Sequence, residues 1–222
     1  MVRALACHAR GRGFESRHSR RSRIDRETAD GRPEGMIDLR IIIGSVREGR
    51  AGLPVARWFE GVAEADTRFD VTVIDLAELA LPPVSELELP GTRKYDNDRT
   101  KQLSALVEPA DAYALVAPEY NAGPAPALKN AFDLLYHEWR YKPVGFVSYG
   151  GVSGGMRGVQ ALKPNLLQFS MMPVPEGVVI PFVGSMIEDG VFHPTEPVAQ
   201  GAASLLDSLA RWAEALRVMR ED

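Results

Sequence analysis

The sequence predicts an α/β domain in which one parallel β-sheet is covered by helices on both faces. The first observation is that short apolar runs alternate with amphipathic segments from residue 36 onward. The second is that 222 residues, 45% of them hydrophobic and 25% charged, suffice for one sizeable core. Repeated strand–helix units favour parallel strands joined by right-handed crossovers, and such a sheet is covered on both faces.

The first half of this domain alternates two strands with two helices. Residues 37–43, "IDLRIII", are a β-branched run ended by glycine and are predicted to form a buried strand. Residues 53–65 carry apolar side chains at helical spacing, and Pro54 is tolerated in a first helical turn. Residues 69–76 alternate as a strand, and residues 96–108 form a helix stopped by the proline that follows.

The second half continues the alternation. Three further strands are predicted from apolar runs bounded by turn residues, at residues 112–117, 142–149 and 178–183. Three further helices are predicted from amphipathic spacing, at residues 126–139, 158–170 and 195–219. We find no internal repeat and no linker between these elements. Residues 36–222 are therefore predicted to form one domain.

Residues 1–35 have a different composition and are predicted to be a mobile tail. They hold nine arginines, no lysine and five acids, about +4, whereas the remaining 17 basic and 25 acidic residues leave about −8. They also offer little apolar surface to bury. The Arg- and Ser-rich composition fits an organellar transit peptide. The stretch Gly13–Arg17 also resembles a translated tRNA gene, so we favour an over-extended reading frame with Met36 as the natural start, over a functional arm.

Composition also limits the partners. The acidic body argues against a nucleic-acid binder, although a basic arm could still bind one, and no apolar run approaches the roughly 20 residues that span a bilayer. The single cysteine, Cys7, lies in the tail, which excludes disulfides and thiolate metal sites from residues 36–222. We therefore expect a cytoplasmic protein that contacts neither nucleic acid nor membrane.

Ligands of such sheets bind beyond the carboxyl ends of the strands, and the loop after the first strand has the composition of an anion site. Residues 44–54, "GSVREGRAGLP", offer Ser45 and Arg47 just before a helix. A helix N-terminus presents unpaired N–H groups, and Arg adds charge-assisted hydrogen bonds to phosphate. The loop matches neither a P-loop nor a GxGxxG motif, so ATP hydrolysis and tight dinucleotide binding are not indicated. The alternative is a solvated loop that only precedes a helix.

The loop after the third strand, "APEYNAGPAPALKNAFD", combines a flat aromatic side chain with prolines. Tyr120 stands on a stiff turn and suits stacking on an aromatic ligand. Asn121 offers an amide for polar ring edges, and Gly123 permits close approach of a ligand. The alternative is a capped turn with an incidental tyrosine.

The loop after the fourth strand, "SYGGVSGGMRG", has five glycines in eleven residues. Bare backbone there can lie against a ligand and present N–H groups to carbonyl oxygens. The same loop supports a rival interpretation, because residues 151–155 fit the G-x-S-x-G motif of a hydrolase with Ser153 as nucleophile. Its partners would be Asp189 and His193, which lie only four residues apart in a predicted hairpin.

The stretches "GSVREGRAGLPVARW", "APEYNAGPAPALKNAFD" and "KPVGFVSYGGVSGGMRG" resemble, in order and spacing, the NADPH-dependent FMN reductase family, across residues 38–183. The resemblance implies a flavodoxin-like three-layer α/β/α sandwich, strand order 2-1-3-4-5, that binds FMN non-covalently and forms dimers or tetramers. It implies an oxidoreductase that passes hydride from NADPH to FMN and then to a flavin, quinone, azo compound or other small acceptor, by a ping-pong cycle. The alternative is an FMN-binding electron carrier, which the acidic body would suit.

The resemblance also assigns residues by position. The FMN phosphate would be held by Ser45 and Arg47 with the helix N-terminus at Gly52, Leu53 and Pro54. The isoalloxazine would be lined by Pro118, Glu119, Tyr120 and Asn121, and its pyrimidine edge by Ser148, Gly150, Gly151 and Ser153. Whether Glu119 meets the flavin or its own loop, and whether Arg50 meets NADPH, FMN or solvent, stays open. No catalytic acid or base and no metal ligand is predicted.

Overall fold

The computed structural model describes residues 35–221. The interpretations of the basic tail fall on residues 1–35, outside the described part except for its last residue, and stay predictions. Within residues 35–221, no helix is both long enough and apolar enough to cross a membrane.

The main sheet confirms the predicted fold class. Its five long strands are parallel: β1 (Ile37–Ile43), β2 (Phe69–Asp75), β3 (Ala112–Tyr120), β5 (Pro143–Tyr149) and β6 (Met172–Ile180). A two-residue strand, β4 (Gly123–Pro124), adds antiparallel to β3. The order is β2-β1-β3-β5-β6, which is the predicted 2-1-3-4-5 when the long strands alone are numbered. A hairpin of β7 (Ile187–Glu188) and β8 (Val191–Phe192) stands apart, as predicted.

Helices cover both faces of the sheet. They are α1 (Gly52–Glu64), α2 (Leu76–Leu79), α3 (Asp98–Val107), α4 (Pro126–Leu134), α5 (Met156–Leu167) and α6 (Glu196–Glu221). Short 3₁₀ turns lie at Pro90–Thr92, His137–Trp139 and Val183–Met186.

Strand alternation divides the core into two layers. Ile41 and Ile43 of β1 pack with α1 and α6, represented by Phe59 and Leu205. Ile42 of the same strand packs on the opposite face, in the layer that contains α3, α4 and α5. The near-continuous apolar runs of the three central strands, β1, β3 and β5, are therefore explained by burial of nearly all their residues on one face or the other, whereas the edge strands β2 and β6 are only partly buried.

Several predicted elements differ from the structure; α5, predicted at residues 158–170, lies at Met156–Leu167, and three others differ for an identifiable reason. Strand β3 continues three residues past the predicted end, because Glu119 and Tyr120 pair back with β4 across a tight turn. Helix α4 ends at Leu134 rather than at residue 139, because the next residue has extended backbone. Strand β6 begins at residue 172 rather than 178. Its first four residues include two prolines, which are not typical of a strand, and an irregular pairing with β5 accommodates them.

The register of the sheet brings the predicted loops to one edge. Ile43 at the end of β1 lies beside Val116 of β3, and Pro118 of β3 lies beside Tyr149 at the end of β5. The loops after β1, β3 and β5 therefore emerge together at the carboxyl edge, where β1 and β3 form the switch point of the sheet.

Candidate functional site

A cleft of about 300 Å³ lies at this carboxyl edge. All three loops contribute to it, through residues that include Ser45, Arg47, Pro118, Tyr120, Tyr149 and Gly150. The convergence of the three loops, inferred from their positions after parallel strands, is thus present in the structure.

One end of the cleft is the N-terminus of α1, which is open. The N-cap residue, Ala51, provides no side-chain hydrogen bond, and no acidic residue lies in the first turn. The N–H groups of Gly52 and Leu53 have no acceptor within the helix, while Pro54 has no N–H to offer. Unpaired N–H groups and the positive end of the helix dipole favour an anion at this point.

Two hydroxyl groups lie beside this helix end. Ser45 Oγ and Tyr120 Oη are 2.6 Å apart, and Ser45 Oγ also accepts a long hydrogen bond from the Arg47 N–H at 3.5 Å. Tyr120, predicted as a stacking platform, therefore reaches across the cleft from the β3 loop to the β1 loop. Its ring also lies under the Arg47 guanidinium, 5.9 Å from the ring centroid.

The two arginines of the β1 loop have different surroundings. Arg50 forms an ion pair with Asp75, whose other carboxylate oxygen accepts the Ala77 N–H at 3.0 Å and caps α2. Arg47 is exposed, and its guanidinium forms no ion pair or hydrogen bond within residues 35–221. Of these two arginines, Arg47 is therefore the one available to an anion, whereas Arg50 is already paired with a carboxylate.

Tyr149, the last residue of β5, lines the cleft but was not among the predicted residues. Its hydroxyl is buried and forms no hydrogen bond with any described residue. Removal from water raises the pKa of Tyr149, so the group remains a protonated donor. Its neighbour Ser148, which was predicted to meet the ligand, is fully buried and donates to the Val178 carbonyl at 3.3 Å. Strand alternation turns these two residues to opposite faces, which is the signal that could have identified Tyr149.

At the other end of the cleft, Glu119 joins two loops. Its carboxylate accepts hydrogen bonds from Ser153 Oγ at 2.7 Å and from the Arg157 and Gly158 N–H groups at 3.0 and 3.4 Å. Arg157 adds an ion pair at 2.6 Å. Burial raises the pKa of Glu119, but the hydrogen bonds from Ser153 and Arg157 outweigh it and hold the pKa below its usual value. Of the two roles left open for Glu119, the structure shows the contacts within the protein.

These contacts also bear on the hydrolase interpretation. The Ser153 hydroxyl donates to a carboxylate that serves as the N-terminal cap of α5. Asp189 lies in the β7–β8 turn, and no hydrogen bond within residues 35–221 joins Ser153 to Asp189 or His193. Within residues 35–221, the Ser153 hydroxyl is therefore paired with neither of the partners that the hydrolase interpretation requires.

The glycines of the third loop differ in their backbone conformation and surroundings. Gly154 and Gly155 have positive φ angles of 58° and 88°, which favour glycine. Gly151 has open space beside its Cα, with nothing within 4 Å of a Cβ built there. Gly150 hydrogen-bonds through its N–H to the Ile180 carbonyl at 3.2 Å. On the β3 loop, Asn121 is exposed in the turn between β3 and β4.

No group of three or more His, Cys, Asp or Glu side chains is placed to hold a metal ion in the part of the chain that the structure describes. The donors that converge on the cleft are hydroxyls, backbone N–H groups and a guanidinium. This set fits the phosphate of a ligand, and the buried, unpaired hydroxyl of Tyr149 fits the same group. Fold and site together define a flavodoxin-like α/β protein whose cleft, at the switch point of its sheet, has a donor set suited to an anion.

The chain belongs to the NADPH-dependent FMN reductase family, whose model matches residues 37–183. It is 34% identical over 167 residues to an NAD(P)H-dependent FMN reductase of a Nectria species, covering 70% of this chain and 83% of that one. It is 31% identical over 185 residues to an NAD(P)H-dependent FMN reductase of Saccharomyces cerevisiae, covering 76% and 96%. Weaker matches include proteins named NADPH azoreductase and quinone reductase.

Among solved structures, the fold matches a flavoenzyme NAD(P)H:acceptor oxidoreductase of Paracoccus denitrificans. The TM-score is 0.65 at 22% identity, with 81% of this chain and 98% of that chain covered. The match supports the fold. The family match confirms the predicted family and its enzyme class, an oxidoreductase, with FMN and NADPH as the cofactors of the family.

Proposed function

We propose that the protein is an FMN-dependent NAD(P)H oxidoreductase that reduces a free flavin, a quinone, an azo compound or another small acceptor. The observation that carries the proposal is the cleft that joins an open helix N-terminus and an unpaired arginine to a glycine-rich loop. FMN carries a phosphate at one end and a planar ring at the other. When bound, it supplies the redox chemistry, taking hydride from NADPH and reducing the second substrate in a ping-pong cycle.

The residues at the phosphate end bind and neutralise charge. Arg47 provides a charge-assisted hydrogen bond, and the N–H groups of Gly52 and Leu53 provide uncharged donors along the helix dipole. Ser45, already hydrogen-bonded to Tyr120, is held in place to donate or accept. These groups anchor one end of the ligand without taking part in the chemistry.

The residues at the ring end orient the ligand. Pro118 and Tyr120 form one wall on the β3 loop, with Asn121 next in the chain, and Gly150 forms the other, with Gly151 next in the chain. The Gly150 N–H is paired with the Ile180 carbonyl, so the Gly151 N–H would be the backbone donor on this wall, where it would stabilise negative charge that develops on the ring on reduction. Glu119 and Ser153 hold the two walls at a constant separation through their mutual hydrogen bond.

The identity of the acceptor, the assembly and the location are further parts of the proposal. Relatives named as azoreductase and quinone reductase support planar aromatic acceptors. We expect a homodimer or homotetramer, as the resemblance implied, working in the cytoplasm, which suits a chain with one cysteine. NADPH is the donor in the family's name.

Anaerobic stopped-flow of the FMN-loaded protein tests the enzyme directly. NADPH should bleach the absorbance of the bound flavin, and a benzoquinone added afterwards should restore it. If FMN binds but NADPH leaves it oxidised, the protein is an electron carrier, the alternative that the acidic body would suit.

A matched pair of arginine variants tests the site. Arg47→Ala should weaken FMN binding by about 1.5–3 kcal/mol, the value of a hydrogen bond to a charged group. Arg57→Ala removes an exposed arginine from α1 that does not line the cleft, and it should leave affinity unchanged. Equal FMN affinity in both variants would remove Arg47 from the proposed site.

A further inference from the structure

Tyr149 combines deep burial with an unpaired hydroxyl. The residue is 5% exposed, and its ring belongs to the core layer that contains α1 and α6. Its Oη forms no hydrogen bond with any residue of 35–221. A buried hydroxyl without a partner destabilises a folded protein, so a phenylalanine would pack there at lower cost. The hydroxyl therefore calls for an explanation beyond packing.

A second buried tyrosine of the same sheet shows the ordinary case. Tyr113, on β3, is fully buried, and its hydroxyl donates to the Val107 carbonyl at 2.8 Å. It also lies 3.2 Å from the Glu138 carbonyl oxygen. The fold thus satisfies the hydroxyl of Tyr113 with backbone acceptors, and it provides none for Tyr149.

The position of the Tyr149 hydroxyl indicates which group it would meet. A Cβ built on Gly52, the first residue of α1, would lie 2.5 Å from Tyr149 Oη. The hydroxyl therefore lies directly against the open N-terminus of α1, inside the cleft that Arg47 lines. Ser45 lies close enough to offset part of the rise in the pKa of Tyr149 that burial causes, but the two hydroxyls do not meet hydrogen-bond geometry, and Ser45 is already paired with Tyr120 at 2.6 Å.

We propose that the Tyr149 hydroxyl donates a hydrogen bond to the phosphate of the bound FMN, beside the N–H groups of the first turn of α1. This inference rests on the proposed function and names one more residue of its binding site. It also explains Gly52, since any side chain at this position would occupy the space of the hydroxyl. The phosphate supplies the acceptor that the folded chain lacks.

The test compares Tyr149→Phe with Tyr113→Phe, two variants that each lose one buried hydroxyl. Affinities for FMN and for riboflavin, which has the ring but no phosphate, are measured by fluorescence titration of flavin-free protein. Thermal unfolding of the same flavin-free proteins is followed in parallel. Tyr149→Phe should bind FMN at least about 10-fold more weakly, bind riboflavin as the wild type does, and unfold at an equal or higher temperature. Tyr113→Phe should unfold at a lower temperature and keep its FMN affinity.

Three outcomes would overturn the inference. Wild-type FMN affinity in Tyr149→Phe would show that the hydroxyl makes no bond to the phosphate. An equal loss of FMN and riboflavin binding would place the effect in the packing of the ring. A lower unfolding temperature of flavin-free Tyr149→Phe would show that the hydroxyl has a partner within the protein. Failure of the wild type to bind FMN would instead contradict the proposed function itself.

Discussion

Raising the pH from 7 to 9.5 should stabilise this protein through Lys142, a buried lysine just before β5. Its Nζ lies 2.7 to 3.1 Å from the carbonyl oxygens of Val107, Glu108 and Glu138. Burial, the largest influence on this ammonium group, lowers the pKa of Lys142 to about 8. In an unfolded chain the same side chain titrates near pH 10.4.

The sign and size of the effect follow from these two pKa values. Below pH 8 both states hold the proton, and pH has no effect through this group. Between pH 8 and about 10.4 the unfolded chain keeps a proton that the folded protein has released, so raising the pH favours the folded state. For one group with these pKa values, the gain is about 1.4 kcal/mol at pH 9 and about 2 kcal/mol at pH 9.5.

Urea unfolding of the wild type and of Lys142→Met at pH 7, 8, 9 and 9.5 measures this gain. The difference in unfolding free energy, wild type minus variant, should grow by about 2 kcal/mol over the series. Groups that both proteins contain contribute equally to their pH dependence, so their contribution cancels in the difference. One such group is Tyr95, because burial raises its pKa. A difference that stays flat, or that shrinks, would refute the argument that burial sets the proton affinity of this lysine.

Three further predictions concern the loops around the cleft. Ala122 has a φ of +63°, a left-handed backbone conformation that is strained for any residue with a side chain, so Ala122→Gly should raise the unfolding free energy by about 1 kcal/mol. Chemical denaturation measures this change, and an unchanged unfolding free energy would show that the backbone at Ala122 is not strained. Gly158→Ala should cost about 1–3 kcal/mol, since its Cβ would lie 2.8 Å from a β4 carbonyl oxygen. The control Gly61→Ala, with open space in α1, should gain up to about 1 kcal/mol. Glu119→Gln should speed hydrogen exchange of the Arg157 N–H, and unchanged protection would show that the carboxylate charge is not needed.

The scaffold was predictable because burial leaves a periodic signal. Each long strand is an apolar or alternating run, and each core helix shows apolar spacing, so element types and strand order followed from the sequence and the family resemblance. Pairing with distant residues leaves no such signal. The extension of β3 to Tyr120 depends on β4, and the early start of β6 at Met172 depends on an irregular register with β5. A proline-containing strand like β6 resembles a loop when it is read alone.

The candidate site likewise contains residues that the sequence predicted and one that it did not. Ser45 and Arg47, which line the cleft, were singled out from local chemistry, since a small hydroxyl and a guanidinium before a helix are typical of an anion site; their role as phosphate ligands stays a prediction. Glu119 and Ser153 were predicted as ligand contacts from the resemblance, and their bond to one another depends on two loops 34 residues apart. Tyr149 was missed because its place in the cleft depends on the strand face it occupies and on the absence of a side chain at Gly52.

The two ends of the cleft differ in how completely their polar groups are paired. At the ring end, Glu119, Ser153 and Arg157 satisfy one another before any ligand arrives. At the proposed phosphate end, the Arg47 guanidinium, the first N–H groups of α1 and the Tyr149 hydroxyl have no acceptor within residues 35–221. A ligand phosphate therefore gains new hydrogen bonds, whereas the ring mainly replaces solvent against walls that are already formed. Affinity should depend mostly on the phosphate, which leaves the ring end free to admit acceptors of different shape.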